Sequence, residues 1–147
     1  MPIPESKWGK LCMDFITRLP RTRSRYDSIW VVVDHLTKVA HFIPVKTTYT
    51  SAKLAKIYMT RIVCLHEVPR TIVSDRGTQF TSKFWHQLHQ TSGTRLEFST
   101  TFHSQTDGQT ERVNQILEDM LIACALDYGS SWDDSLPYME FSYNNSY

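Results

Sequence analysis

Three carboxylates occupy places in this chain where an acid is either costly or useful. Asp14 sits in the middle of KLCMDFITRL among apolar neighbours, and a carboxylate buried there without a partner is expensive. Asp75 closes TIVSD, at the carboxyl end of a strand pattern, where open α/β sheets build their sites. Glu111 falls about one turn into the longest helical pattern, on the face opposite its apolar stripe. If the three converge, their mutual repulsion must be relieved by protonation or by cations. Hard divalent ions suit oxygen ligands, and Mg²⁺ accepts one or two carboxylates beside substrate phosphates. Two such ions about 4 Å apart serve an in-line phosphoryl displacement. The competing reading makes each acid a cap, a turn former or a surface charge, and for any one of them alone it is the stronger.

The elements that must position these acids follow from hydrophobic periodicity. KLCMDFITRL alternates as a strand, with Leu11, Met13 and Phe15 on one face and Cys12, Asp14 and Ile16 on the other. PRTRSRYD is a polar connection. SIWVVVD is β-branched and continuous, as in a strand buried on both faces. A turn over His35 to Lys38 leads into VAHFIPV, a third strand and a hairpin. From Thr50 the period changes: Leu54, Ile57, Tyr58 and Ile62 predict a helix capped by Thr50 or Ser51. TIVS, beyond Pro69, is a short strand, and Phe80, Phe84, Trp85 and Leu88 predict a second helix stopped near Gly93. RLEFS is a fifth strand. After the polar TTFHSQTDG, Thr106 and Gln109 match a capping box, and Val113, Ile116, Leu117, Met120, Leu121 and Cys124 form one apolar stripe. A last helix from Ser131 turns Trp132, Leu136 and Met139 inward. This order predicts an α/β layered fold in a single domain.

Composition narrows the function classes. With 147 residues the chain can bury one core. The net charge of +1 neither demands nor excludes a nucleic acid. Locally, Arg18, Arg21, Arg23 and Arg25 crowd together. They are either a phosphate contact or a solvated loop, and both stand. The longest apolar run, Ile29 to Val33, is too short for a bilayer, so no membrane is expected. MPIPESKWGK lacks an apolar signal core, and nothing directs the chain to secretion. Cys12, Cys64 and Cys124, odd in number and far apart, read as buried free thiols in a reducing compartment. His86 and His89 lie one helical turn apart, but with no Cys or further His close in sequence a surface or half-buried pair is the stronger reading than a metal site. The helical spacing of Phe80, Phe84 and Trp85 favours core over base stacking.

The strings MDFI, WVVVDHLTKVAHFIP, SDRGTQFTSKFW and HSQTDGQTERVNQILE resemble the integrase core of gypsy-type (Metaviridae) long-terminal-repeat retrotransposons, over nearly the whole chain. That family's Asp–Asp–Glu triad, with 35 residues between its last two members, maps onto Asp14, Asp75 and Glu111 with the same spacing. The resemblance implies a ribonuclease-H-like fold, a five-stranded mixed sheet flanked by helices. It implies two Mg²⁺ or Mn²⁺ ions held by the triad, trimming of the 3′ ends of retroelement DNA, and attack of the new 3′-hydroxyl on target DNA. DNA and further copies of the chain, as a homodimer or higher oligomer, are the implied partners. Synthesis in the cytoplasm within a polyprotein and action in the nucleus follow from the same likeness. The family's N-terminal His-His-Cys-Cys zinc module and its C-terminal domain are not expected within residues 1–147.

By motif, Phe102 to Gly108 resembles the family's flexible loop over the active site, in which Gln105, Thr106, Asp107 and Gly108 suit contact with nucleic acid. Asn114 resembles a position beside the metals and element DNA. Arg112 and Gln115 project near Glu111, toward phosphate or bases, or else form a solvated helix face. The sequence departs from the family where His35 and Ile122 replace Arg, Glu67 replaces Gly and Ser104 replaces Pro. These departures keep open a second function, a non-catalytic or domesticated core serving as a DNA-binding or dimerisation module.

Overall fold

In the computed structural model residues 8–66, 68–74, 86, 93, 95–98 and 108–146 are described, with the backbone alone at 74, 95–98 and 108–114. Five strands form one sheet: β1 (Lys10–Ile16), β2 (Ser28–Asp34), β3 (Ala40–Val45), β4 (Thr71–Ser74) and β5 (Arg95–Phe98), in the order β3-β2-β1-β4-β5. β1 pairs parallel with β4, and β4 parallel with β5. Backbone bonds tie the end of β2 to the start of β1 (His35 N–H to the Lys10 carbonyl, 2.9 Å) and the start of β2 to the end of β3 (Asp27 N–H to the Val45 carbonyl, 3.2 Å). β2 therefore runs against both neighbours, and the sheet is mixed. All seven residues of β2 are buried, as its unbroken apolar pattern predicts.

Contacts divide the chain into two compact units: Met1–Met13, Val33–Lys38 and Thr48–Thr100 in the first, Asp14–Val32, Val39–Thr47 and Thr101–Tyr147 in the second. In the first unit, α1 (Ser51–Tyr58) starts at Thr50, whose hydroxyl accepts the Lys53 N–H at 3.2 Å. It continues through a π-helical turn, Met59–Val63, into α2 (Cys64–His66). The Thr60 hydroxyl donates to the carbonyls of Lys56 and Ile57, a competition with amide donors that accompanies widened turns. Leu54, Ala55, Tyr58 and Ile62 face the core, and burial pushes the Tyr58 phenol well above its usual value. His66 stacks on Trp8 with centroids 3.8 Å apart.

In the second unit, α3 (Gly108–Tyr128) leads through a 3₁₀ turn, Gly129–Ser131, into α4 (Trp132–Ser146). β3 is an edge strand, which is why Pro44 is tolerated inside it. α4 closes that edge: Asn144 Oδ1 accepts the Ala40 N–H and Glu140 Oε1 the Phe42 N–H, each at 2.8 Å. Amides alternate along a strand, so the third outward position, 44, falls on a residue with no N–H to offer.

Several sequence expectations shift. β1 alternates only as far as Met13; Ile16 is buried, and Phe15 is half-buried against Trp30, centroids 5.4 Å apart. Among the described side chains of α3, Leu117, Leu121, Cys124 and Ala125 are buried, Met120 is half-buried and Ile116 is 54% exposed; the Val113 side chain lies outside the described set. On α4, Tyr143 rather than Met139 joins Trp132 and Leu136 in the core. None of the three cysteines is in a disulfide, but Cys12 is half-buried and Cys64 exposed, leaving only Cys124 buried. Of the second predicted helix only His86, exposed, and the stop at Gly93, with φ 79°, lie within the described residues.

Candidate active site

Asp14 occupies the fifth position of β1 and is half-buried, following buried Met13 and preceding half-buried Phe15. Its Oδ1 accepts the N–H of Phe15 at 2.8 Å, which fixes the carboxylate against its own backbone. One register fact bears on its proposed partner. Met13 and Ser74, the residues that immediately precede Asp14 and Asp75, face each other across the parallel pair β1 and β4. Asp75 itself lies outside the described residues, as do Gln105, Thr106 and Asp107.

Glu111 stands on the first turn of α3, about where the helical pattern put it; its side chain, with those of Arg112 and Asn114, also lies outside the described set. Gly108 opens α3 rather than closing the preceding loop. A loop boundary drawn on composition cannot see where the first helical turn forms. Gln115 is exposed and donates to Asp119 at 2.9 Å, one turn along the same face. Among the described residues, no three His, Cys, Asp or Glu side chains form a metal-holding group. The convergence of the triad therefore rests on side chains that the structure does not describe.

Sequence reading passed over one acid, Asp34. It is fully buried at the end of β2, with Oδ1 accepting the Trp8 N–H at 3.0 Å and Oδ2 taking both the N–H and the hydroxyl of Thr37. With three donors on two oxygens, Asp34 closes a turn and is committed to structure. The Asp-x-x-Thr spacing was its only local signal. His35, next to it, has its Nδ1 4.0 Å from Cys12 Sγ.

Residues 4–104 match the family described as Integrase core domain. This chain belongs to that family. Over 99% of its length the integrase core is 35% identical to the Transposon Tf2-3 polyprotein of Schizosaccharomyces pombe, in a match of 147 residues, and Tf2-4 of the same yeast matches equally. The chain spans only 11% of those polyproteins' length. Among solved structures, the HTLV-2 integrase catalytic core domain in complex with magnesium (dimeric form) superposes with a TM-score of 0.64 at 17% identity, covering 92% of this chain and 86% of that one. The catalytic core domain of BIV integrase gives 0.60 at 19% identity, with 88% and 81% covered. The five-stranded mixed sheet and its helices are thus the ribonuclease-H-like fold of integrase cores, as the sequence led one to expect.

Proposed function

We propose that this integrase core is a polynucleotidyl transferase that trims the 3′ ends of retroelement DNA and joins them to target DNA, using Asp14, Asp75 and Glu111. The observation that carries the reading is the register of β1 against β4. Met13 and Ser74, the residues that immediately precede Asp14 and Asp75 in the chain, are paired between adjacent parallel strands, and a peptide adds no more than about 4 Å per residue. Family membership and the 35-residue spacing from Asp75 to Glu111 support the third member.

The donor set suits a hard divalent cation, because all three candidates offer carboxylate oxygens and Asp14 is only half-buried. The magnesium of the HTLV-2 core supports a divalent cation here, and we propose two Mg²⁺ ions, with Mn²⁺ as their substitute. When bound, such ions supply charge neutralisation at the phosphodiester and at the attacking and departing oxygens. Asp14, Asp75 and Glu111 would hold them, and the Phe15 N–H keeps the Asp14 carboxylate oriented. Gln105, Thr106, Asp107, Gly108, Arg112, Asn114 and Gln115 would line the path of the DNA. The setting we propose is the nucleus, after release from a polyprotein.

A disintegration assay on branched DNA with Mn²⁺ tests this directly. Asp75→Asn is expected to lower the rate at least about hundredfold, since removing a metal-holding carboxylate sacrifices several kcal/mol of transition-state stabilisation. The circular dichroism spectrum should not change. Undiminished turnover overturns the site. The departures at His35 and Ile122 favour a second reading, a non-catalytic DNA-binding or dimerisation module. A wild-type chain inactive in the same assay would establish it.

A further inference from the structure

The connection between β1 and β2 is a built structure rather than a slack loop. The Thr22 N–H reaches the Tyr26 carbonyl at 2.9 Å and the Arg25 N–H the Thr22 carbonyl at 2.8 Å, a three-residue hairpin tip over residues 23–25. Thr22, only 4% exposed, accepts the Tyr26 N–H on its hydroxyl. The hairpin is pinned from outside as well: the Trp132 indole donates to the Pro20 carbonyl, and the Arg23 N–H to the Ser130 carbonyl at 3.1 Å. From this rigid base Arg18, Arg21, Arg23 and Arg25 all project exposed.

Among the described residues no carboxylate forms an ion pair with any of the four. The acid at the hairpin base, Asp27, is turned to Thr47, whose N–H and hydroxyl it accepts at 2.8 Å each. Asp133 and Asp134 lie on the first turn of α4, where the helix N-terminus favours them. A fifth cation, Lys46, lies 6.0 Å from the centre of the Tyr26 ring. In a chain of net charge +1, four arginines here leave the remainder net negative, so the positive charge is concentrated. Arg25 also holds φ at 70° and Arg18 at 60°, left-handed conformations in which glycine would be strain-free. At two costly positions the chain carries guanidinium groups instead.

We infer that the Arg18–Arg25 hairpin is a second DNA-binding element, a clamp on the phosphate backbone of duplex DNA, separate from the carboxylate site. Guanidinium groups take phosphate oxygens two at a time, and their rigid base lowers the entropic cost of binding. Arg18 follows Asp14 by four residues, so at most about 14 Å of chain separates them. A duplex held by the hairpin therefore passes close to the strand that bears Asp14. This inference rests on the proposed DNA-joining function for its partner, but not on the triad for its test.

The test is fluorescence anisotropy with a 30-base-pair duplex of arbitrary sequence over a range of NaCl concentrations. Replacing Arg18, Arg21, Arg23 and Arg25 together by Gln is expected to weaken binding at least about tenfold near 0.1 M salt. It should also flatten the plot of log affinity against log salt by about 2–4, near 0.9 for each phosphate no longer neutralised. Arg25→Gly relieves the left-handed strain, so it should keep or raise the melting temperature while removing about one unit of slope. Asp75→Asn should leave the slope unchanged, so the hairpin and the triad can fail separately. A slope unaltered in the quadruple variant overturns the inference. So does an arginine-dependent attraction to phosphatidylserine vesicles with none to the duplex.

Discussion

Asp14, Asp27 and Asp34 are three acids within one stretch of chain, and their surroundings give each a different duty. Asp34 spends its oxygens on Trp8 and Thr37. Asp14 accepts the Phe15 N–H within its strand and is the candidate ligand. Burial alone would raise Asp27, but hydrogen bonds from the Thr47 hydroxyl and amide, the Ser28 hydroxyl and its own amide outweigh it and hold the carboxyl below the ordinary value. A depressed acid stabilises the fold fully above its unfolded value, near 3.9, and loses that contribution as pH falls through the folded value. Asp27→Asn is therefore expected to destabilise the protein most at neutral pH. The gap in urea midpoint between the two proteins should narrow as pH drops below about 3.9, and an equal gap at pH 7 and pH 3 would contradict it. Asp14 was legible in the sequence because its apolar neighbours make an acid conspicuous. Asp34 was not, because Asp-x-x-Thr is a weak local signal and its other partner, Trp8, is 26 residues away and donates through backbone.

At the scale of elements, the seam between β3 and α4 depends on a pair of polar residues one turn apart. Asn144 accepts the Ala40 N–H and also donates to the Ala40 carbonyl at 2.9 Å, so it completes both halves of one backbone unit. Asn144→Ala is expected to cost about 1–3 kcal/mol in urea denaturation, because it strands two half-buried backbone groups. Faster exchange of the Ala40 amide should accompany it, and an unchanged exchange rate would refute the assignment. Periodicity predicted β2, β3, β4, β5 and the cap of α1 because each depends on short-range pattern. The inner face of α3 was drawn one residue too wide at Ile116, since a 3.6-residue period gives a face's direction more firmly than its breadth. The α4 contacts with β3 span 98 and 104 residues, and no local signal encodes such a meeting.

For the molecule as a whole, the fold was readable because it follows from repeating pattern. The triad needs three distant side chains placed at once, so it rested on the resemblance, and Asp75 and the Glu111 side chain lie outside the described residues. No helix among the described residues is long and apolar enough to cross a membrane. Exposed large apolar side chains include Leu126 on α3 and Tyr138 and Phe141, one turn apart, on α4. Singly such residues are ordinary; at the Tyr138–Phe141 turn of α4 we propose that a second copy of this chain docks. Phe141→Lys is expected to shift sedimentation from dimer toward monomer without lowering the melting temperature. A wild-type chain that is monomeric at high micromolar concentration would dispose of that surface.

The stoppered rim of β3 also limits how copies can join. Its outward amides at 40 and 42 are taken by α4, and position 44 has none. A neighbouring chain that tried to lengthen the sheet there would find no donors to dock against. Strand-on-strand polymerisation is closed along that border, and the same plug shields a strongly apolar sheet from running on into fibrils.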